Sequence, residues 1–313
     1  MREPESAPET KAASKTPPAA SASAPSIPPL SERLSRPAPE RLVAIGDLHG
    51  DLEKTRRVLR LAGAIDANDA WIGGKLMVVQ TGDEIDRGDD DRRILDLIEK
   101  LKGDAKKAGG ELIALVGNHE LMNVGFDFRY VTPGAFKAFT DITASDPNTA
   151  AFLAQLDPSA RGRAAAFAPG GRYATLLAER PLMIKVGDSI FVHGGILPKH
   201  ASYGLDRMND EVRAWLTGKK EKPPQVVVAE DGPVWSRAFS IPGEEKCALL
   251  DESLRALGAK RMVMGHTVQK GGVTDACDRK AWRIDVGLSH YYDGPVQALE
   301  IKGDTLTPLK ESG

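Results

Sequence analysis

Arg41-Leu-Val-Ala-Ile-Gly-Asp-Leu-His-Gly-Asp51 is the stretch from which the fold follows. Arg41 to Ile45 reads as a buried strand that stops at a glycine. Leu52 to Leu61 then reads as a helix, with apolar Leu52, Val58, Leu59 and Leu61. The unit repeats. Lys75 to Gln80 is a second strand, Ile94, Leu95, Leu97, Ile98 and Leu101 mark a second helix, and Leu112 to Val116 is a third strand. Strand-helix-strand-helix-strand order predicts parallel strands joined by crossover helices, hence an α/β domain. An Ala-rich, mostly helical stretch follows over about Leu121 to Ala178. Short strands come after it at Met183 to Val186, Ser189 to Val192, Arg261 to Met264, Ala281 to Val286 and Val296 to Ile301. Their close spacing predicts a mixed or antiparallel second sheet.

Composition narrows the function classes. Forty-two basic against 44 acidic residues leave a net charge of −2 over 313 residues, which argues against a general nucleic-acid binder. No run reaches the length of a membrane-spanning helix. Two cysteines, Cys247 and Cys277, exclude a disulfide scaffold and an all-cysteine zinc site, and leave open whether they pair. From Met1 to Pro39 the chain holds nine Pro, eight Ala and seven Ser. Such a segment buries too little apolar surface to offset its chain entropy, so residues 1–39 are expected to be a disordered tail and residues 40–313 the folded domain. No apolar core follows the charged start, so the chain as written is expected in the cytoplasm. The alternative is a periplasmic or secreted location, because such a tail also links a removed secretion signal to an exported domain.

The strand ends carry the chemistry. The first three lead into Gly46-Asp47-Leu48-His49-Gly50-Asp51, Gly82-Asp83-Glu84-Ile85-Asp86-Arg87-Gly88 and Gly117-Asn118-His119-Glu120; two later ones lead into His193-Gly194-Gly195 and Gly265-His266-Thr267. Gly-Asp alone carries no information, since it occurs seven times. Four of the six histidines, however, stand at predicted strand ends, where α/β sheets collect ligands. Asp47, His49, Asp83, Asn118, His193 and His266 offer carboxylate, imidazole and amide donors without thiolate, which suits Mn, Fe or Zn. Six ligands are too many for one hydrolytic metal with an open position and suit two metals sharing a carboxylate. Arg87 can hold phosphate oxygens bidentately, and His119, oriented by Asp86, could protonate a leaving oxygen.

With GDxHG, GDxxDRG, GNHE, a histidine before Gly-Gly, and GH in this order, the sequence resembles the calcineurin-like metallophosphoesterases. The Asp-Arg-Gly and Asn-His-Glu forms resemble the phosphoprotein-phosphatase branch. Gly117 to Phe139, Gly232 to Arg237 (GPVWSR) and Arg283 to Ser289 (RIDVGLS) are most like the Shewanella-like protein phosphatases. The likeness covers roughly Arg41 to Ile301. It implies an α-β-β-α sandwich, two mixed central sheets flanked by helices, with residues 121–178 as a helical insertion forming a lid or groove wall. It implies one metal on Asp47, His49 and Asp83 and a second on Asp83, Asn118, His193 and His266, Asp83 bridging. A hydroxide between two divalent cations, manganese first and iron or zinc next, would attack a phosphomonoester in line. Arg87 and Arg237 would bind substrate, and His119 with Asp86 would assist the leaving group. The implied substrate is a phosphorylated protein or peptide, on tyrosine and/or serine and threonine. The loop Leu288-Ser289-His290-Tyr291-Tyr292 departs from that of the eukaryotic serine/threonine phosphatases, so no regulatory subunit is implied.

Three rivals are weaker. Cys277 and Arg283 match the C-x5-R spacing of cysteine-based tyrosine phosphatases, but Asp278 opposes a thiolate and the intervening residues are not Gly-rich. A dinucleotide polyphosphate or nucleotide hydrolase of the same superfamily would keep the metals, without a Gly-rich dinucleotide loop to favour it. A metal-binding module without turnover would not need Arg87 and His119. Among other residues, His200 is expected on the surface, and Phe126, Phe128, Tyr130 and Phe136 in the core. Arg129 could face the pocket, and His290 and Tyr291 flank the site.

Overall fold

The computed structural model describes residues 30–144 and 146–311. Its strands are β1 (Ser35–Arg36), β2 (Leu42–Ile45), β3 (Met77–Gln80), β4 (Glu111–Ala114), β5 (Met183–Val186), β6 (Ser189–Val192), β7 (Arg261–Met264), β8 (Thr274–Ala276), β9 (Ala281–Arg283), β10 (Gln297–Lys302) and β11 (Thr305–Lys310). They form two mixed sheets, ordered β11-β10-β2-β3-β4 and β1-β5-β6-β7-β9-β8.

Strand alternation builds the layers. Val43 and Ile45 of β2 point to the helices Leu52–Leu61 and Asp91–Lys107, packing with Val58, Leu59, Ile94 and Ile98. Leu42 and Ala44, the intervening residues, point the other way and meet Ile184, Phe191, Val263 and Trp282 of the second sheet. A period of two thus gives each strand one face for helices and one for the partner sheet. The outer face of the second sheet, with Ile190, Val192, Met262 and Met264, is covered by helices that include those of the insertion. The order of layers is helix, sheet, sheet, helix.

β2, β3 and β4 run parallel, as do β6, β7 and β9, so six carboxyl ends meet along one rim. Four expectations change. The last strand expected from the sequence, β10, pairs antiparallel with β2 in the first sheet rather than joining the later strands. β9 ends at Arg283, three residues before the predicted limit. The insertion is helical only in five short pieces, Asn118–Val124, Pro133–Lys137, Pro147–Leu153, Arg161–Phe167 and Arg172–Leu177. The tail boundary also moves: β1 pairs with β5, and Leu34 beside it is fully buried in the core, so the domain starts by residue 30. The rest of the expected tail, residues 1–29, lies outside the described residues. No helix among the described residues is long and apolar enough to cross a membrane.

Candidate active site

Each ligand-type residue follows one of the six parallel strand ends within a few positions. Asp47 and His49 follow β2, Asp83 follows β3, Asn118 follows β4, His193 follows β6 and His266 follows β7. All six are 8% exposed or less. The turns are tight enough to force unusual backbone. His49, Asp83, Asp86, Arg87 and His266 all have φ between 46° and 70°, a region that costs a side-chain-bearing residue free energy and persists where surroundings over-determine it. Gly117 and Gly265 are required for another reason. A Cβ at Gly117 would strike Asp83 Oδ1, and one at Gly265 would strike Asp47 Oδ1.

Two histidines have their tautomer set by a carbonyl. His193 Nδ1 donates to Thr81 O at 2.9 Å, and His49 Nδ1 to Ile85 O at 3.2 Å. In its neutral form each then turns the Nε2 lone pair inward. Against the effect of burial, Asp83 raises the His193 pKa above its usual value. His193 Nε2 lies 2.9 Å from Asn118 Oδ1 and 3.2 Å from Asp83 Oδ2, three acceptors crowded together. Buried His266 Nε2 has no hydrogen-bond partner among the described residues. Asp83, His193 and His266 therefore form one group able to hold a cation, and His49, Asp83 and His119 form another. Asp47 Oδ2 is 3.9 Å from His49 Nε2 and borders the second group. No lysine or arginine pairs with Asp47 or Asp83 among the described residues. The donors, their orphaned atoms and their uncompensated charge fit divalent metal ions.

The titrations follow the same logic. Burial pushes the His49 imidazole down to about 3, with the charges of His119 and Arg87 adding to it, and burial beside His193 and Arg237 holds His266 well below its usual range. Both are thus neutral donors. Burial would raise Asp83, but the charge and hydrogen bond of His193 and the charge of His119 outweigh it and hold the carboxyl well below its usual range. Asp47 is raised by burial and by the neighbouring Asp285 and Asp83.

Arg87 and His119 occupy one side of this cluster. His119 Nδ1 meets Asp86 Oδ2 at 2.6 Å, leaving Nε2 3.8 Å from Asp83 and 3.3 Å from Arg87 Nη2. Burial lowers the His119 pKa, yet Asp83 and Asp86 together raise it above the usual value. The Arg87 guanidinium donates to Tyr292 Oη and lies 4.8, 5.2 and 4.9 Å from the rings of Tyr130, Tyr291 and Tyr292. An open cavity of about 360 Å³ next to it is lined by His49, Arg87, His290 and Tyr291. Arg237 is exposed near His266, whose pKa its charge lowers.

Several residues sit elsewhere than expected. Tyr130 is not core; its exposed ring lies 5.0 Å from that of His119, while Phe126, Phe128 and Phe136 pack with one another. His200 is fully buried, its Nδ1 accepting from Leu197 N, because it caps a helix start rather than facing solvent. Arg129 pairs with Asp127 in solvent, and His290 Nδ1 contacts Asp51 Oδ2 at 3.2 Å. Cys277 forms a disulfide with Cys247 and Arg283 pairs with Glu245, so neither is arranged for cysteine-based catalysis. Sequence reading also missed Asp285, buried beside Asp47 after β9, and Glu120, whose carboxylate accepts the amides of Gly117, Asp83 and Glu84 at 2.7, 2.9 and 2.8 Å. The Glu in GNHE was the available signal for the second.

Comparison with known proteins agrees with this geometry. The sequence pattern described as calcineurin-like phosphoesterase matches residues 40–270. The chain is 42% identical over 298 residues to Shewanella-like protein phosphatase 2 of Arabidopsis thaliana, covering 85% of this chain and 76% of that one. It is 32% identical over 259 residues to Shewanella-like protein phosphatase 1 of Plasmodium berghei, covering 80% and 67%. Among solved structures, a cold-active protein tyrosine phosphatase aligns with a TM-score of 0.70 at 25% identity, covering 88% of this chain and 77% of that one. The chain thus belongs to the calcineurin-like phosphoesterase family and is a metal-dependent phosphatase, and its rim of buried histidines and carboxylates offers groups able to hold divalent cations.

Proposed function

We propose that this protein is a phosphoprotein phosphatase that uses two divalent cations, manganese before iron or zinc, to hydrolyse phosphotyrosine and/or phosphoserine and phosphothreonine. The observation that carries the reading is the meeting of Arg87 and His119 Nε2, 3.3 Å apart, beside the carboxylate shared by both cation-holding groups. In this reading Asp47, His49 and Asp83 hold one cation, and Asp83, Asn118, His193 and His266 the other. Bound cations neutralise phosphate charge and lower the pKa of water, which supplies the nucleophile.

The chain's own groups do the rest. Arg87 binds two phosphate oxygens with its fork, exchanging the Tyr292 hydroxyl for substrate. Asp86 keeps the Nδ1 proton of His119, so the Nε2 proton faces the leaving oxygen. As the P–O bond breaks, that proton passes to the leaving oxygen and the imidazole is left neutral. Arg237, exposed on the His266 side, serves as a second contact for the phosphate or its peptide. Tyr130 and Tyr291, 39% and 63% exposed, each set a ring against the Arg87 guanidinium and favour an aromatic phosphoester. Relatives named as protein phosphatases support a protein substrate over a dinucleotide. The Cys247–Cys277 disulfide favours the periplasmic or secreted location over the cytoplasm, since such bonds persist in oxidising compartments.

The test compares turnover of a phosphotyrosine peptide, a phosphoserine peptide of the same sequence and a dinucleotide polyphosphate by the manganese-loaded protein. Turnover of the peptides, with phosphotyrosine at least equal to phosphoserine, is expected. Turnover of the dinucleotide alone would contradict the reading.

A further inference from the structure

Arg163 is the largest fully buried side chain described in the protein, and no motif calls for it. It lies in the helix Arg161–Phe167 of the insertion, between the rings of Phe139 and Phe167 at 5.2 and 5.1 Å. A guanidinium without water needs its charge and its N–H groups satisfied. Apart from Ala135 O, which accepts from Nη1 at 3.4 Å, its partners belong to one network. Nη2 lies 3.0 Å from Asp86 Oδ1 and 2.7 Å from Asp91 Oδ2, and Nε donates to Asn123 Oδ1 at 2.7 Å. Asn123 Nδ2 in turn donates to the same Asp86 Oδ1 at 3.0 Å and to His119 O at 2.9 Å. Asp91 Oδ1 closes the ring by accepting from Asp86 N at 3.0 Å.

Asp86 is thus gripped from behind. One oxygen faces His119 Nδ1; the other receives both the Arg163 and Asn123 donors. Two fully buried carboxylates, Asp86 and Asp91, share the buried Arg163 guanidinium, and only Asp86 also faces His119. Without it the carboxylates face each other, and the Asp86 carboxylate keeps only the Asn123 amide behind it to fix the orientation it imposes on the imidazole. We propose that Arg163 is a positioning residue for proton donation: by holding Asp86 it fixes the tautomer and aim of His119, making the helical insertion part of the catalytic apparatus rather than only a wall of the groove.

The inference rests on the function proposed above, in which His119 protonates the leaving oxygen. Leaving-group dependence reads it out, because a proton donor matters for poor leaving groups and not for good ones. The manganese-loaded protein, Arg163→Met and His119→Ala are compared on aryl phosphates spanning leaving-group pKa values from about 5 to 10 and on a phosphoserine peptide. For Arg163→Met, bound metal and KM should stay within about threefold, kcat on phosphoserine should fall roughly 100-fold, and kcat on the most acidic phenol should fall less than about fivefold. A parallel loss on every substrate would overturn the inference and leave a structural ion pair. If Arg163→Met does not fold, Arg163→Lys decides on the same series: a steeper slope than wild type supports the role, and an unchanged slope overturns it. If His119→Ala itself shows no added leaving-group dependence, the proposed function fails first. If His119→Ala steepens the slope and Arg163→Met does not, only the inference fails.

Discussion

The loops at the strand ends and the helical insertion supply the same site by different means. The loops carry its donor atoms: Asp47, His49, Asp83, Asn118, His193 and His266 stand within four residues of a strand's end, and His49, Asp83 and His266 do so on positive-φ backbone. The insertion carries Tyr130 against Arg87, and Arg163 and Asn123 against Asp86. Ligand atoms need defined residue types at defined spacings, because chemistry fixes both. Supporting atoms need only the right place in space, and many sequences provide that. The lesson is that a motif marks where the reaction occurs but not what holds its parts in place.

Substitutions in the two regions should therefore fail in different ways. The largest effect is expected from Asp83→Asn in the loops. An amide offers one good acceptor oxygen where two adjacent cations need a full carboxylate. Turnover should drop to background and bound metal should fall towards one equivalent or none; two tightly held ions in an active variant would refute a shared carboxylate. Next comes His119→Ala, which should keep its metal while kcat falls about 10²–10⁴-fold. Loss of metal with His119 would mean that it is a ligand, as its grouping with His49 and Asp83 allows.

A third variant extends the comparison to the chain's other unannounced segment. Leu34→Ala should cost about 2–5 kcal/mol of stability, measured by urea unfolding, with kcat unchanged in the folded protein. An unaltered midpoint would detach residues 30–39 from the core. The smallest effect is expected at the groove wall. Tyr130→Ala and Tyr291→Ala should each lower kcat/KM on phosphotyrosine peptides by up to about tenfold, and leave phosphoserine peptides nearly unchanged. Equal losses on both would make the tyrosines props for Arg87 rather than a surface for the substrate ring.

How much was legible in advance follows the same division. Every strand-end motif lies where its glycine and apolar run indicated, because a buried strand has a strong pattern and ends abruptly. Asp285 escaped notice because β9 reads as continuing to Val286, and a residue inside an apparent strand does not look like part of a turn. Arg163 escaped because an arginine in an Ala-rich helix reads as exposed; its burial depends on Asp86 and Asp91, more than 70 positions away in sequence. β1 is hidden by the prolines around it. β11 is hidden by Pro308, which an edge strand tolerates and a central one would not. Tyr130 was assigned to the core because its neighbours Phe126 and Phe128 do pack together, and composition cannot tell which ring of an aromatic run turns outward.

The central claim is that buried histidines and carboxylates along the rim make this a metal-dependent phosphomonoesterase. Stripping metal with a chelator and restoring manganese stepwise, while recording bound metal and turnover of a phosphotyrosine peptide together, tests it most directly. The metal-free protein should be folded and inactive, with turnover returning as the second equivalent binds. Full turnover by protein shown to be metal-free would contradict the account.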